Sequence, residues 1–199
     1  MVSNNDKNIS DGANYIFYVF TENLVGATTY PLNPSRTKEV SIGFNRSFDP
    51  TVTIRGGTNG IQFSEAQWLD FSSIDFSQLM ASPARTNWGD YTLNVYEYKG
   101  CTCLSIDTPG KQRIILARDT VKTLMDMRPL INHVIQELYG LQMNHFYQQA
   151  VETCARDPRT TVDDFCDARP RCGKARILRE LGAFYRDAIA KDIQYYLRG

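Results

Sequence analysis

Side chains able to do bond chemistry are few and widely spaced in this 199-residue chain. Its two histidines, His133 and His145, stand twelve residues apart. On one continuous helix they would point about 120° away from each other, so they cannot share a metal or serve one nucleophile. His145, Cys154, Cys166 and Cys172 offer four soft ligands. The eleven and five residues between those cysteines fit no close-paired finger or ribbon. Cys101 and Cys103, two apart on one strand face, are poorly placed for a disulfide with each other and read as small strand residues. Asp163-Asp164 reads as helix-start charge. Gly110-Lys111 lacks the upstream glycine and the following Ser or Thr of a phosphate loop, and neither Gly-x-Ser-x-Gly nor His-Glu-x-x-His occurs. These residues predict a protein that is not an enzyme and has no metal or cofactor.

Stacking is the chemistry the chain does favour. Aromatic residues make up 12% of it, and several fall on the polar side of alternating strands. Tyr96 and Tyr98 alternate with Leu93 and Val95, and Gln62 alternates with Ile61 and Phe63. Arg55 and Arg113 lie on strands, Arg46, Lys99 and Lys111 in turns, and Lys38 at a strand entrance. Aromatics among hydrogen-bonding polars, fringed by cations, suit unpaired bases, each worth roughly 1–3 kcal/mol when stacked.

Composition narrows the partner. With 22 basic and 22 acidic residues the net charge is zero, which argues against a protein that wraps duplex DNA. Five cysteines, an odd number, without a cleavable leader predict free thiols in a reducing intracellular compartment. Residues 15–20 form the longest apolar run, too short to cross a membrane.

These side chains must be held by strands and helices. Residues 1–14 read as a disordered start, 15–20 as a strand covered on both sides, and the stretch to Arg36 as a loop. Val40, Ile42 and Phe44, then Val52 and Ile54, then Ile61 and Phe63, mark three half-buried strands. A helix follows from Glu65 to about Met80. Residues 81–90 read as a connector, after which the pattern returns with Leu93 and Val95, Leu104 and Ile106, Ile114 and Leu116, and a helix at about Asp119. Ile42 to Val95, Ile61 to Ile114, Phe63 to Leu116 and Trp68 to Val121 are each 53 residues, and Ile54 to Ile106 is 52. A constant offset predicts an internal duplication. The expectation is an α+β fold with two pseudo-repeated antiparallel sheet–helix units, 15–80 and 90–128, and a helical region, 129–199, packed with them as one domain. In that region Pro129 suits a first helical turn, Asp157-Pro158 a helix stop, Thr161 with Asp164 a cap, and residues 175–197 a last helix.

The junction at residues 60–71 is the most specific stretch. Ser64 and Gln67 form a capping box, and Phe63 and Trp68 are spaced as a hydrophobic staple. Gly60-Ile61-x-Phe63 followed by Gln67-Trp68-x-x-Phe71 resembles the last strand and helix start of the positive cofactor four family. These are transcriptional coactivators that bind single-stranded DNA on a curved antiparallel sheet backed by a helix. Phe63 and Phe71 replace the family's leucines, and residues 55–59 carry one basic residue where several are usual. The repeated layout is also similar to Whirly-type and Pur-type single-strand binders. The resemblance implies a nuclear, dimeric protein that binds single-stranded nucleic acid, DNA more than RNA, in transcription or replication. The expected interface is Lys38, Arg46, Arg55, Gln62, Tyr96, Tyr98, Lys99, Lys111 and Arg113, as outward strand or turn residues, together with Trp68, whose counterpart in the family is associated with DNA binding. The alternative is an assembly protein, such as a viral structural component, that keeps the fold without the nucleic acid.

Overall fold

A computed structural model describes residues 24–110, 112–141, 143–157, 159–167, 187–195 and 197. Eight strands form two separate antiparallel sheets, each a simple meander followed by a helix. The first holds β1 (Val25–Pro31), β2 (Lys38–Phe44), β3 (Pro50–Gly56) and β4 (Asn59–Ser64), followed by α1 (Glu65–Ser73) and the short α2 (Phe76–Leu79). The second holds β5 (Ala84–Trp88), β6 (Tyr91–Tyr98), β7 (Cys101–Asp107) and β8 (Arg113–Ala117), followed by α3 (Arg118–Asp126). Three helices come next, α4 (Arg128–Tyr139), α5 (Met143–Arg156) and α6 (Val162–Asp167), and residues 187–195 are helical. The expected α+β class with two sheet units therefore holds.

Hydrogen-bond register carries the repeat further than residue spacing does. In the first sheet Val40 pairs with Ile54, Ile42 with Val52, Ile54 with Ile61 and Val52 with Phe63. In the second the same four places are Leu93 with Ile106, Val95 with Leu104, Ile106 with Ile114 and Leu104 with Leu116. All of these side chains are buried, and one apolar cluster joins both sets to α1, α3 and α4. Strands β3 and β4 lie against β8, α1 covers β3 and β4, α3 covers β7 and β8, and α4 lies on β2 and β3.

Three expectations need correction. The stretch assigned to a loop before Arg36 contains β1, and the connector at 81–90 contains β5. Both are edge strands with weak alternation: β1 carries Gly26 at positive φ, a bulge and a terminal Pro31. β5 turns into β6 through Gly89-Asp90, with Gly89 at φ 52° in a tight two-residue hairpin. The apolar run at 15–20 lies outside the described residues, so the four strands of the first unit are β1–β4. The third correction concerns the helix expected to reach Met80, which stops at Ser73. There Ser72 and Ser73 turn their hydroxyls back onto the carbonyls of Leu69 and Asp70. Asp75 then caps α2.

Local chemistry sets the other boundaries as expected. Ser64 and Gln67 make both halves of the capping box, worth about 1 kcal/mol, whereas Ala117 opens α3 with no side-chain cap. Pro129 occupies the first turn of α4, and Thr161 and Asp164 bond reciprocally at the start of α6. Of the last helix expected, residues 187–195 are described as helical and 175–186 lie outside the described residues.

On the polar side of the first sheet, Ser41, Thr51 and Thr53 are buried too, so the middle strands are enclosed on both faces. This corrects the expectation that the polar side of the first sheet, which bears Arg55 and Gln62, is an open stacking surface. Ser41 shares a hydrogen bond of 2.9 Å with Thr29, while the Thr53 hydroxyl, 0% exposed, has no partner among the described residues. A buried hydroxyl without a partner costs about 1–3 kcal/mol. Thr53→Val keeps the β-branched shape and should raise unfolding stability by about 1 kcal/mol in urea titrations. A comparable loss would show that the hydroxyl is bonded in solution.

Candidate nucleic-acid interface

The second sheet is the more exposed of the two on its polar side, open at Tyr98 and Ile115 although Cys103 and Ser105 of β7 are buried there. Alternation along β6 sends Leu93 and Val95 to the core and Thr92, Asn94, Tyr96 and Tyr98 to the other side. Register extends that side across its neighbours: Arg85 pairs with Asn94 and Asn87 with Thr92 on one flank. On the other, Cys101 pairs with Tyr98, Cys103 with Tyr96, and Ser105 with Asn94 and Ile115. Tyr98 is 58% exposed and Ile115 39% exposed. Tyr96 is half-buried beside Cys103, and burial, then the neighbouring thiol, pushes its phenol above the usual value.

A tight turn places the nearest cation. Lys99 and Gly100 link β6 to β7 in two residues, both at positive φ, and Lys99 bears that conformation without being glycine. Its Nζ lies 5.4 Å from the centre of the Tyr98 ring, within reach of a cation–π contact. Arg113 reaches the same face but is ion-paired through Nε to Asp107, which also accepts a long bond from Ser105. Its charge is thus largely compensated. Arg85 is exposed on β5, beside the tyrosine-bearing strand.

Four of the ten expected interface residues, Tyr96, Tyr98, Lys99 and Arg113, therefore meet on one face. Arg85 and Ile115 join them unforeseen. A hairpin signal, Gly89-Asp90 between the aromatics Trp88 and Tyr91, was the available clue to β5 and hence to Arg85.

The remaining residues lie elsewhere. Lys38 is half-buried, its stem laid across its cross-strand neighbour Gly56, and burial lowers its pKa. Arg55 is half-buried on β3, and Arg46 is exposed in the turn after β2. Gln62 is half-buried on β4, directly opposite Thr53. Lys111 lies outside the described residues. Trp68 corrects the expectation of a base contact: it is 0% exposed, and its indole N–H donates to Asn132 of α4 at 2.8 Å. The staple residue Phe63 stacks its ring on Phe71 at 5.0 Å. Trp88 and Tyr91 complete that aromatic cluster, tying the β5–β6 hairpin to α1. Of the four soft ligands read from the sequence, His145 is exposed and bonded to Gln149, and Cys154 is buried beside Ala150 and Phe165. The side chains of Cys166 and Cys172 lie outside the described residues.

Beside β4, the end of α4 meets the start of α1. Tyr139 donates to Glu65 at 2.5 Å, and Gln136 donates to the same carboxylate at 3.3 Å. The bond to Glu65 is the main reason the Tyr139 phenol is pushed up to about 12.

Comparison with protein-family models, curated proteins and solved structures gives no match for this chain.

Two outcomes follow from this geometry. Trp68→Ala should lower unfolding stability by about 3–5 kcal/mol, because it empties a fully buried site and strands Asn132; a loss below 1 kcal/mol would mean the indole is not part of the core. The Tyr139–Glu65 bond should stabilise the fold below the ordinary phenol value of about 10. Because the folded pKa is raised, that contribution fades as pH climbs to about 12. The stability difference between wild type and Tyr139→Phe should accordingly be flat at neutral pH and shrink in alkali.

Proposed function

We propose that this protein binds single-stranded nucleic acid, DNA more than RNA, on the outer face of the second sheet, in transcription or replication. The observation that carries the reading is that face: an exposed and a half-buried tyrosine two residues apart, with Lys99 over one ring and Arg85, Asn94 and Ile115 alongside. Unpaired bases stack on Tyr98 and Tyr96, Asn94 and Asn87 bond base edges, and Lys99 and Arg85 hold phosphates. The resemblance of residues 60–71 to positive cofactor four proteins, and of the layout to Whirly-type and Pur-type proteins, supports the same partner and a dimer in the nucleus. Near-zero net charge makes the salt dependence shallow.

A second reading, an assembly protein that keeps the fold and has no nucleic acid, draws on two observations. The middle of the first sheet is enclosed on both faces, and Arg113 is tied to Asp107.

Fluorescence anisotropy with labelled single- and double-stranded oligonucleotides across salt separates them. The first reading expects single-strand binding in preference to duplex; no binding at low salt moves the assignment to assembly. Tyr98→Ala should weaken single-strand binding roughly 5- to 100-fold, the equivalent of one lost stack. Asp107→Asn should release Arg113, strengthen binding, and steepen the salt slope by about 0.7, one phosphate contact. An unchanged affinity in both variants would remove this face from the interface.

A further inference from the structure

Among the described residues, one sheet edge is both unpaired and unprotected. β4 and β8 lie against each other, and Asn59 at the start of β4 donates to the carbonyl of Arg113 in β8. β1 is bulged and ends in Pro31, two of the devices that blunt an edge. β5 has neither. Its pairing with β6 runs from Ala84 to Trp88 without a register shift, and Arg85, Thr86 and Asn87 in its middle are exposed.

The hairpin decides which backbone groups face outward. Trp88 and Tyr91 close a two-residue turn, so they exchange both hydrogen bonds. Antiparallel alternation then makes Thr86–Leu93 and Ala84–Val95 the next bonded pairs. Arg85 and Asn87 therefore turn their N–H and C=O groups away from β6, where no strand among the described residues takes them up. Pro83 ends the run, since it has no N–H.

Such an edge is complementary to itself. In an antiparallel pair centred on Thr86, Arg85 of each copy faces Asn87 of the other, and every outward group of both residues is bonded. Neighbouring registers are worse. Centring on Arg85 sets two guanidiniums directly opposite and puts Asn87 against Pro83. Centring on Asn87 leaves Arg85 facing Gly89, in the turn at positive φ.

We propose that β5 pairs antiparallel with β5 of a second copy, centred on Thr86, so that two four-stranded sheets become one continuous sheet. This supplies the contact for the dimer of the reading above, and rests on that reading only for its use. The two-fold axis stands normal to the sheet, so both Tyr96–Tyr98 faces lie on the same side, their β6 strands about 14 Å apart. One strand of nucleic acid can then engage both. A five-residue edge is small for an interface, so the dimer is weak and exchanges with monomer.

Sedimentation velocity and cysteine cross-linking of the full chain test this. Wild type should pass from monomer to dimer as its concentration rises to about 100 µM. Thr86→Lys sets like charges opposite each other on the axis and should raise the concentration needed about tenfold. Circular dichroism checks that the fold persists. In a Cys101→Ser background, which removes an exposed thiol, Thr86→Cys should give a disulfide-linked dimer under mild oxidation. Directly opposed, non-hydrogen-bonded residues stand about 4.5 Å apart between Cα atoms, within disulfide range. Arg85→Cys and Asn87→Cys, each roughly 8 Å from its own copy, should not cross-link. A monomer at every concentration would overturn the pairing and leave the edge to a strand of another protein. A dimer indifferent to Thr86→Lys, or cross-linked equally at all three positions, would overturn it too. A dimer that shows the Thr86→Cys cross-link but binds no oligonucleotide would uphold the pairing and overturn the single-strand reading.

Discussion

Each meander must hide one side of its strands in a core shared with the other, and that requirement fixes the register of all eight. Ile42, Val52 and Phe63 of the first sheet meet Val95, Leu104 and Leu116 of the second in one continuous apolar cluster. A slip of one residue along β3 would exchange Ile54 for Thr53 at the core and send every following side chain to the wrong side. Tight turns enforce the same register locally. Gly57, Gly89 and Gly100 all take positive φ, where a side chain would be strained, and Lys99 accepts that strain next to the tyrosine face.

Because the two units obey the same register, their differences stand out as differences of use. In the first, the polar side of β2 and β3 is buried at Ser41, Thr51 and Thr53; in the second, the corresponding side is buried at Cys103 and Ser105 of β7 but carries Tyr96 and an exposed Tyr98 on β6. The helices diverge likewise. α1 opens with a full capping box and buries Trp68 and Phe71, whereas α3 opens without a side-chain cap and buries Thr120, Val121 and Leu124. The Trp68 position is therefore structural in this chain: Asn132 of α4 takes up the indole N–H. The end of α4 reaches the start of α1 through Tyr139, which donates to Glu65.

Much of this was legible in the residues. Alternation of Val40, Ile42, Val52 and Ile54 gave the central strands, and the near-constant offset to Leu93, Val95, Leu104 and Ile106 gave the second unit, because a buried face imposes its period on the sequence. Edge strands escaped notice for the converse reason. β1 and β5 have partners on one side only, and exposed Arg85, Thr86 and Asn87 look like connector residues. Exposure of the polar faces was beyond sequence reasoning. Thr53 and Asn94 are both polar strand residues flanked by aliphatic ones, yet one is sealed and the other half-open, since the difference lies in what covers them. The Asp107–Arg113 pair was equally hidden: the two residues lie on different strands and become neighbours only through the β7–β8 register.

What decides the function is where a flexible polyanion lies on this protein. Photo-crosslinking a single-stranded oligonucleotide carrying 5-bromouracil, followed by mapping of the modified peptides, addresses that directly. Adducts should fall on the β6–β7 hairpin, centred on Tyr96 and Tyr98. Adducts confined to the first sheet or to α5, with the hairpin unmodified at saturating oligonucleotide, would contradict it.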